Sequence, residues 1–449
     1  MLVLPSTAAA WSGKRVQFAV GDAPGPAKYN TIWLRKYGPS SARTILVLIP
    51  GSPSGQATFN LLGETLPRRV PGLAVWTIDR RGNALEDTSG FEANDPNAAL
   101  GFYTGLLPLN GRSFAPVDDS QASFVRKWGL AVEVNDVHRV VLAARARGKR
   151  RVILGGHSAG ATAVPAYAAW DFSGRAGYRD LAGFVLIDGG LFGTWGKLAA
   201  GTSFWPPFAN VAQAKTRLQT LEHNTPFAFT GPPLGFPLWI VGVLPELGCQ
   251  YALADPQGTS ALQFLTSLIP PGLIPPGTLP DFTVTNEAFV GWLLQHSDDS
   301  LKVRAGQFAG SGDPRPWVNG PYSSVSQVCA AFASEPGNAM EWYYPARLDL
   351  DMLRGAQYVK PTAAARYLGL RLSHLHEIDR PLYVFETSLS EGGVLMGAKR
   401  FVAATKIPRS TFVKDEEMGH LDPLLDFPDQ NKFIQTVVPF LKGIVRTAH

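Results

Sequence analysis

Cysteine is scarce: only Cys249 and Cys329 occur in 449 residues. A chain so poor in thiols is not a disulfide-stapled small domain, and it contains no Cys-x-x-Cys pair for a zinc or iron–sulfur site. A His-Glu-x-x-His pair is missing as well, so no metal is expected. Charge is sparse, at 17% of residues, and nearly balanced, leaving a net charge of +5. The one basic run, Arg145–Arg151, reads as a solvated helix end leading into a strand. With no aromatic–basic interleaving to accompany it, a nucleic-acid partner is not expected. Long apolar runs are lacking too. The best candidate, Phe236–Leu244, is interrupted by Pro237 and Gly242 and falls far short of the roughly 20 residues that span a bilayer. The first residues, MLVLPSTAAAWSGKR, lack the basic and apolar regions of an intact signal peptide. They leave the compartment unknown, with a secreted or periplasmic site favoured if the two cysteines pair. Pairing and two separate buried thiols are both open.

What the chain does have is a hydrophobic content of 45%, with 46 glycines and 36 prolines. That is enough for a large core interrupted by many loops. Short apolar, β-branched runs bounded by turn residues predict strands at 14–20, 30–37, 43–49, 74–79, 151–154 and 184–187. Between them, helical spacing predicts helices over 123–147 and 159–170. After Gly190 this alternation stops and the text turns rich in Pro, Gly, Phe and Trp until about Leu375. It resumes with strands at 382–385 and 410–413 and helices at 394–404 and 431–445. The expected fold class is α/β: a mostly parallel sheet covered by helices on both faces. The expected organisation is a core in two parts, 1–190 and 376–449, around a mainly helical cap or lid insertion, 191–375.

The chemistry is concentrated at Gly156-His157-Ser158-Ala159-Gly160. A Gly-x-Ser-x-Gly string is weak evidence alone, but here it joins a buried strand to a small-residue helix. A nucleophile needs that junction, because a sharp strand-to-helix turn exposes the serine and only small neighbours fit around it. The following helix start supplies free N–H groups for a developing oxyanion.

At these residues the chain resembles the α/β-hydrolase superfamily, over roughly 14–190 and 376–445. Pro50-Gly51-Ser52-Pro53 resembles the family's His-Gly-x-Pro oxyanion loop, with proline in place of histidine. Asp79-Arg80-Arg81-Gly82 resembles its Asp-x-Arg-Gly turn. The resemblance implies Ser158 as nucleophile and the backbone N–H groups of Ser52 and Ala159 as the oxyanion hole. A carboxylate nucleophile, as in epoxide- or haloalkane-opening relatives, is ruled out by Ser158.

The base must be a histidine, since only imidazole takes and returns a proton near neutral pH. Of eight histidines, His420 sits between the last strand and the terminal helix, where the family carries its base. His374 and His376 are the other contenders. His157 is expected to matter through its backbone more than its ring. The acid is ambiguous. The family's usual position follows the strand 382–385, where Glu386 and Glu391 stand. A minority of the family puts it one strand earlier, where Asp188 stands. All three keep the order Ser, acid, His.

The expected activity is hydrolysis of a carboxylic ester without a cofactor. A small or polymeric hydrophobic substrate is expected because the insertion carries Phe236, Trp239, Phe264, Leu265, Trp292 and Trp342. Most of these are better explained as the insertion's own core. An amide or peptide hydrolase with the same triad, and an inactive binding protein on the same scaffold, are the alternatives. The oligomeric state is not legible.

Overall fold

The structure is a computed structural model that describes residues 13–195, 207–228, 238–263, 281–296, 303–333 and 339–446. The first twelve residues, Phe236, Phe264, Leu265 and the proline-rich stretch 269–277 lie outside the described residues.

Ten strands are described: β1 Lys14–Ala19, β2 Thr31–Tyr37, β3 Thr44–Ile49, β4 Leu73–Ile78, β5 Arg151–His157, β6 Gly183–Ile187, β7 Gly306–Phe308, β8 Trp317–Asn319, β9 Leu382–Glu386 and β10 Ser410–Lys414. Eight of them form one sheet in the order β1-β2-β4-β3-β5-β6-β9-β10. Only β2 runs against its neighbours; β4, β3, β5, β6, β9 and β10 are mutually parallel.

The sequence explains this layering. All six residues of β3 and all six of β4 are buried, as central parallel strands require. Alternate residues feed two separate cores. Leu46, Leu48, Ile153 and Val185 face one side, under helices Asn60–Arg69 and Lys432–Arg446. Ile45, Val47, Val152 and Leu154 face the other, under helices Leu130–Arg145, Ala159–Ala169 and Gly393–Ala403. The terminal helix buries Phe433, Val437, Phe440, Leu441 and Ile444, a stripe at helical spacing.

One predicted helix is divided. Instead of running from Ser123, the chain makes a short 3-10 turn, Ser123–Lys127, before the helix Leu130–Arg145. Asp351 is the reason: its carboxylate accepts the Leu130 N–H at 3.0 Å and presses so close to Gly129 that a Cβ there would lie 2.2 Å from Oδ2. A residue 221 positions away thus sets the helix start.

Between β6 and β9 lie helices Val211–His223, Leu238–Ala254, Asn286–His296 and Val325–Phe332 and the hairpin β7–β8, which the sequence pattern did not reveal. Cys249 and Cys329 are bonded, joining two of these helices across 80 residues. The segment is sewn to the core at two loops. The Gly55 N–H donates to Ala339 O at 3.0 Å and the Glu341 N–H to Pro53 O at 2.9 Å, beside the loop after β3. The Phe427 N–H donates to Tyr322 O at 2.6 Å, and Gln327 Nε2 to Leu425 O at 2.6 Å, beside the loop after β10. Among the described residues no helix is long and apolar enough to cross a membrane.

The sheet's order reverses at β3, which has β4 on one side and β5 on the other. In an open parallel sheet the carboxyl ends of strands flanking such a reversal splay their loops apart and leave a crevice. The loops after β3 and β5 carry Ser52 and Ser158.

Candidate active site

Ser158 follows β5 directly, with φ +54° and ψ −120°, and the helix Ala159–Ala169 starts at the next residue. A non-glycine residue held at positive φ costs about 1–3 kcal/mol, and such strain persists only where its surroundings enforce it. Here the enforcement is visible. The Ser158 N–H donates to Ile187 O at 3.0 Å, and its carbonyl accepts the Thr162 N–H at 3.2 Å. The two motif glycines are steric necessities: a Cβ on Gly156 would lie 2.4 Å from the Gly160 carbonyl carbon, and one on Gly160 would lie 2.1 Å from Ile49 O.

Asp188 ends β6 in its own positive-φ conformation, φ +43°, with its N–H donating to Phe385 O at 2.8 Å. The next residue, Gly189, abuts the elbow so closely that a Cβ would lie 2.2 Å from Ser158 O. The fully buried Asp188 carboxylate accepts the Thr387 N–H at 2.8 Å, the Thr387 hydroxyl, and Nδ1 of His420 at 2.6 Å. A carboxylate only accepts, so Nδ1 carries the proton. Burial alone would raise the Asp188 pKa; the bonds from His420 and Thr387 outweigh it and hold the group below the usual carboxylate range.

His420 is 4% exposed, on the turn between β10 and the terminal helix. That turn is anchored at both ends: the Ser388 N–H and hydroxyl donate to Met418 O, and the Gly419 N–H donates to Asp422 at 2.7 Å. Asp422 is held in turn by Arg304 at 3.0 Å. The edge of Trp195 faces the imidazole, with centroids 6.3 Å apart. The second imidazole nitrogen, Nε2, makes no hydrogen bond to the described residues, and neither does the Ser158 hydroxyl.

The other acids do different work. Glu386 accepts the Leu395 N–H at 2.6 Å, at the first turn of the helix after β9, and lies 3.6 Å from Lys414 Nζ. Glu391 is exposed on the turn before that helix. Of the rival histidines, His374 bonds Glu377 at 2.9 Å, and His376 bonds Ala404 O at 2.8 Å. The structure therefore brings Asp188 and His420 together and leaves Glu386, Glu391, His374 and His376 outside the cluster.

The expectation for His157 needs correction. Its ring is not incidental: it is 1% exposed, and Nε2 donates to His420 O at 2.9 Å. Burial and the neighbouring His420 push its pKa down to about 3, so it stays neutral. Thr387 was missed altogether, since a threonine after a strand carries no sequence signal. In the Asp79-Arg80-Arg81-Gly82 turn, Arg81 grips Asp136 with two bonds of 2.6 Å, tying β4 to the helix before the elbow strand.

No family model matches the chain, and no curated protein sequence does. Solved structures do match. A lipase candidate from Sulfolobus solfataricus overlays 96% of this chain and 94% of its own with a TM-score of 0.50, at 18% identity. The chain has the α/β-hydrolase fold. An epoxide hydrolase from Mycobacterium thermoresistibile (13% identity, 96% and 99% covered) and a thermophilic esterase from Thermogutta terrifontis (14%, 96% and 99%) overlay less well, with TM-scores of 0.42 and 0.37. At 18% identity the Sulfolobus overlay shows the fold alone and says nothing of a substrate.

Proposed function

We propose that this chain is a carboxylic-ester hydrolase acting through Ser158, His420 and Asp188. The observation that carries the reading is the buried Asp188–His420 bond beside the strained elbow of Ser158. With Nδ1 committed to Asp188, the tautomer leaves Nε2 with its lone pair free for the serine proton. Ser158 Oγ attacks the ester carbonyl carbon as its proton passes to Nε2. The ester C–O bond then breaks, and Nε2 returns the proton to the leaving alkoxide. Water repeats the sequence on the acyl-enzyme: its proton goes to Nε2, the acid departs, and Ser158 Oγ recovers the proton. Asp188 stabilises the imidazolium at both stages without taking its proton. The Ser52 and Ala159 N–H groups, which have no acceptor among the described residues, receive the negative oxygen of each tetrahedral intermediate.

The substrate is proposed to be bulky and apolar, with residues 191–375 as a cap over a core made of 1–190 and 376–449. Much of that segment's aromatic content is internal: Phe289, Trp292, Trp342 and Tyr343 are buried. The partly buried Trp239, packed on Phe114 with centroids 4.9 Å apart, remains a candidate wall.

The test compares wild type with Ser158→Ala on activated esters of varied acyl chain and alcohol bulk, with matched anilides alongside. Loss of at least ~10³-fold in kcat on esters, with an unchanged circular dichroism spectrum, is expected. Greater kcat/KM on the anilides would make it an amidase. A wild type that neither turns over an ester nor reacts with a fluorophosphonate would make it a binding protein.

A further inference from the structure

Arg80 follows β4 and is 6% exposed, packed beneath the loop that follows β3. Its guanidinium donates to Pro50 O from Nη2 at 2.5 Å and to Gly51 O from Nη1 at 2.9 Å, and Nη1 reaches Ser54 O at 3.5 Å. Two acidic side chains hold it there. Glu133, on the helix before the elbow strand, accepts from Nε at 3.1 Å; Glu341, from the segment between β6 and β9, lies 3.3 Å from Nη1. Three carbonyls of one loop thus converge on one buried cation.

Direction is what matters. Across a trans peptide the carbonyl and the next residue's N–H point opposite ways. The Gly51 carbonyl is drawn toward Arg80 and also accepts the Ser54 N–H at 3.0 Å, so the Ser52 N–H is turned to the opposite side. The same loop touches the nucleophile: a Cβ on Gly51 would lie 3.0 Å from the Ser158 Cβ. Were that peptide to flip, a carbonyl would replace an N–H donor where the oxyanion forms, and Arg80 would lose an acceptor in a buried place. A guanidinium offers five donors in fixed directions, enough for three carbonyls and two acidic side chains, whereas an ammonium offers three on a flexible stem.

We infer that Arg80 is a positioning residue for the oxyanion hole, and that Glu341 makes the segment between β6 and β9 part of the hole's frame. This rests on the acyl-transfer reading above. Backbone pairing supports it: residues 339 and 341 bond residues 55 and 53, on either side of the Ser54 carbonyl that Arg80 reaches. The segment therefore does more than roof the pocket. Its position and the direction of the Ser52 N–H are mechanically linked.

The experiment measures Ser158-dependent turnover of a 4-nitrophenyl ester by Arg80→Lys, normalised to sites titrated with a fluorophosphonate. Inhibition by an alkyl trifluoromethyl ketone, whose adduct carries the tetrahedral oxyanion, is measured beside it. Expected is a kcat per titrated site lower by at least ~30-fold, KM within about threefold, and ketone affinity weakened in step with kcat/KM. A purely structural role would lower the melting temperature and the fraction of titratable sites but leave kcat per site within threefold; that result overturns the inference. Should Arg80→Lys fail to fold, Glu341→Leu keeps the guanidinium but removes this acceptor, and is read the same way. At least a ~3-fold loss in kcat per site is expected, and an unchanged value overturns the inference. Wild-type turnover that survives Ser158→Ala would instead bring down the hydrolase reading, and the Arg80 role with it.

Discussion

At the scale of single residues, the proposal of Asp188 as the acid rests on a bond that sequence order does not contain. Asp188, Glu386 and Glu391 all stand after strands and before His420, so chain order could not rank them. Asp188 alone among them bonds Nδ1, whereas Glu386 is engaged with a helix start. Asp188→Asn is therefore expected to lower kcat by ~10³–10⁴-fold, because an amide can hold the wrong imidazole tautomer. Glu386→Gln keeps an acceptor for the Leu395 N–H and should stay within about threefold; steady-state rates on one ester decide between them. His157 offers a second prediction. Replacing its ring by phenylalanine removes the donor to His420 O and should lower kcat by about tenfold, while His157→Gln keeps a donor and most of the rate. Its folded pKa, about 3, lies below the unfolded value near 6.5. The unfolded chain therefore binds the extra proton between those values. The contribution of His157 to stability is fully present above pH 6.5 and is lost as pH falls toward 3. Both variants should remove that contribution from the difference between wild-type urea midpoints at pH 7 and pH 5.

Among the elements, the strands and core helices were readable because their faces are set by local period. The unbroken apolar runs of β3 and β5 mark strands buried on both faces, and the stripe of the terminal helix marks its inner face, without help from distant chain. The break before Leu130 was unreadable, since Asp351 makes it from far along the chain. The hairpin β7–β8 was hidden for another reason: three-residue strands flanking Pro314 and Pro316 are too short for a period to emerge. The elbow gives a prediction at this scale. Gly160→Ala must push a methyl group against Ile49 O, and helix and strand cannot both keep their positions. Soluble yield should collapse, while Gly148→Ala, in open space but at positive φ, should cost only about 1 kcal/mol by thermal melting. The helix Val325–Phe332 gives another. It carries Cys329 at one point and Gln327, which holds Leu425 O near the His420 turn, at another. Opening an 80-residue loop by Cys329→Ser removes up to about 4.5 kcal/mol of unfolded-state restraint. A lower melting temperature, with the same shift in wild type under reductant, is the expected readout.

For the whole molecule, the balance of buried acids sets the pH response. Burial lifts Glu341 to about 8 despite Arg80, lifts Asp426 to about 8 despite Arg304, and raises Glu86 well above its ordinary value. These groups keep their protons in the fold at pH values where the unfolded chain has released them. The folded state then binds more protons, so stability falls as pH rises from about 4.5 toward 8. Above pH 6.5, where His157 no longer contributes a slope, that fall should be visible as a higher urea midpoint at pH 6.5 than at pH 8. Glu341→Gln should remove part of it.

The sequence by itself determined the class of fold, the tight strand-to-helix turn at Ser158 and the loops that carry Asp188 and His420. Those depend on near neighbours: a hydrophobic period, and glycines spaced to admit one serine. Only the tertiary structure decided which carboxylate meets the imidazole, that the His157 ring bonds the His420 carbonyl, and that an arginine and a distant glutamate hold the loop after β3. Each of these joins residues tens to hundreds of positions apart, and the pairings arise where strand ends converge at the reversal of the sheet. Local pattern carries no record of that convergence, because it is made by packing.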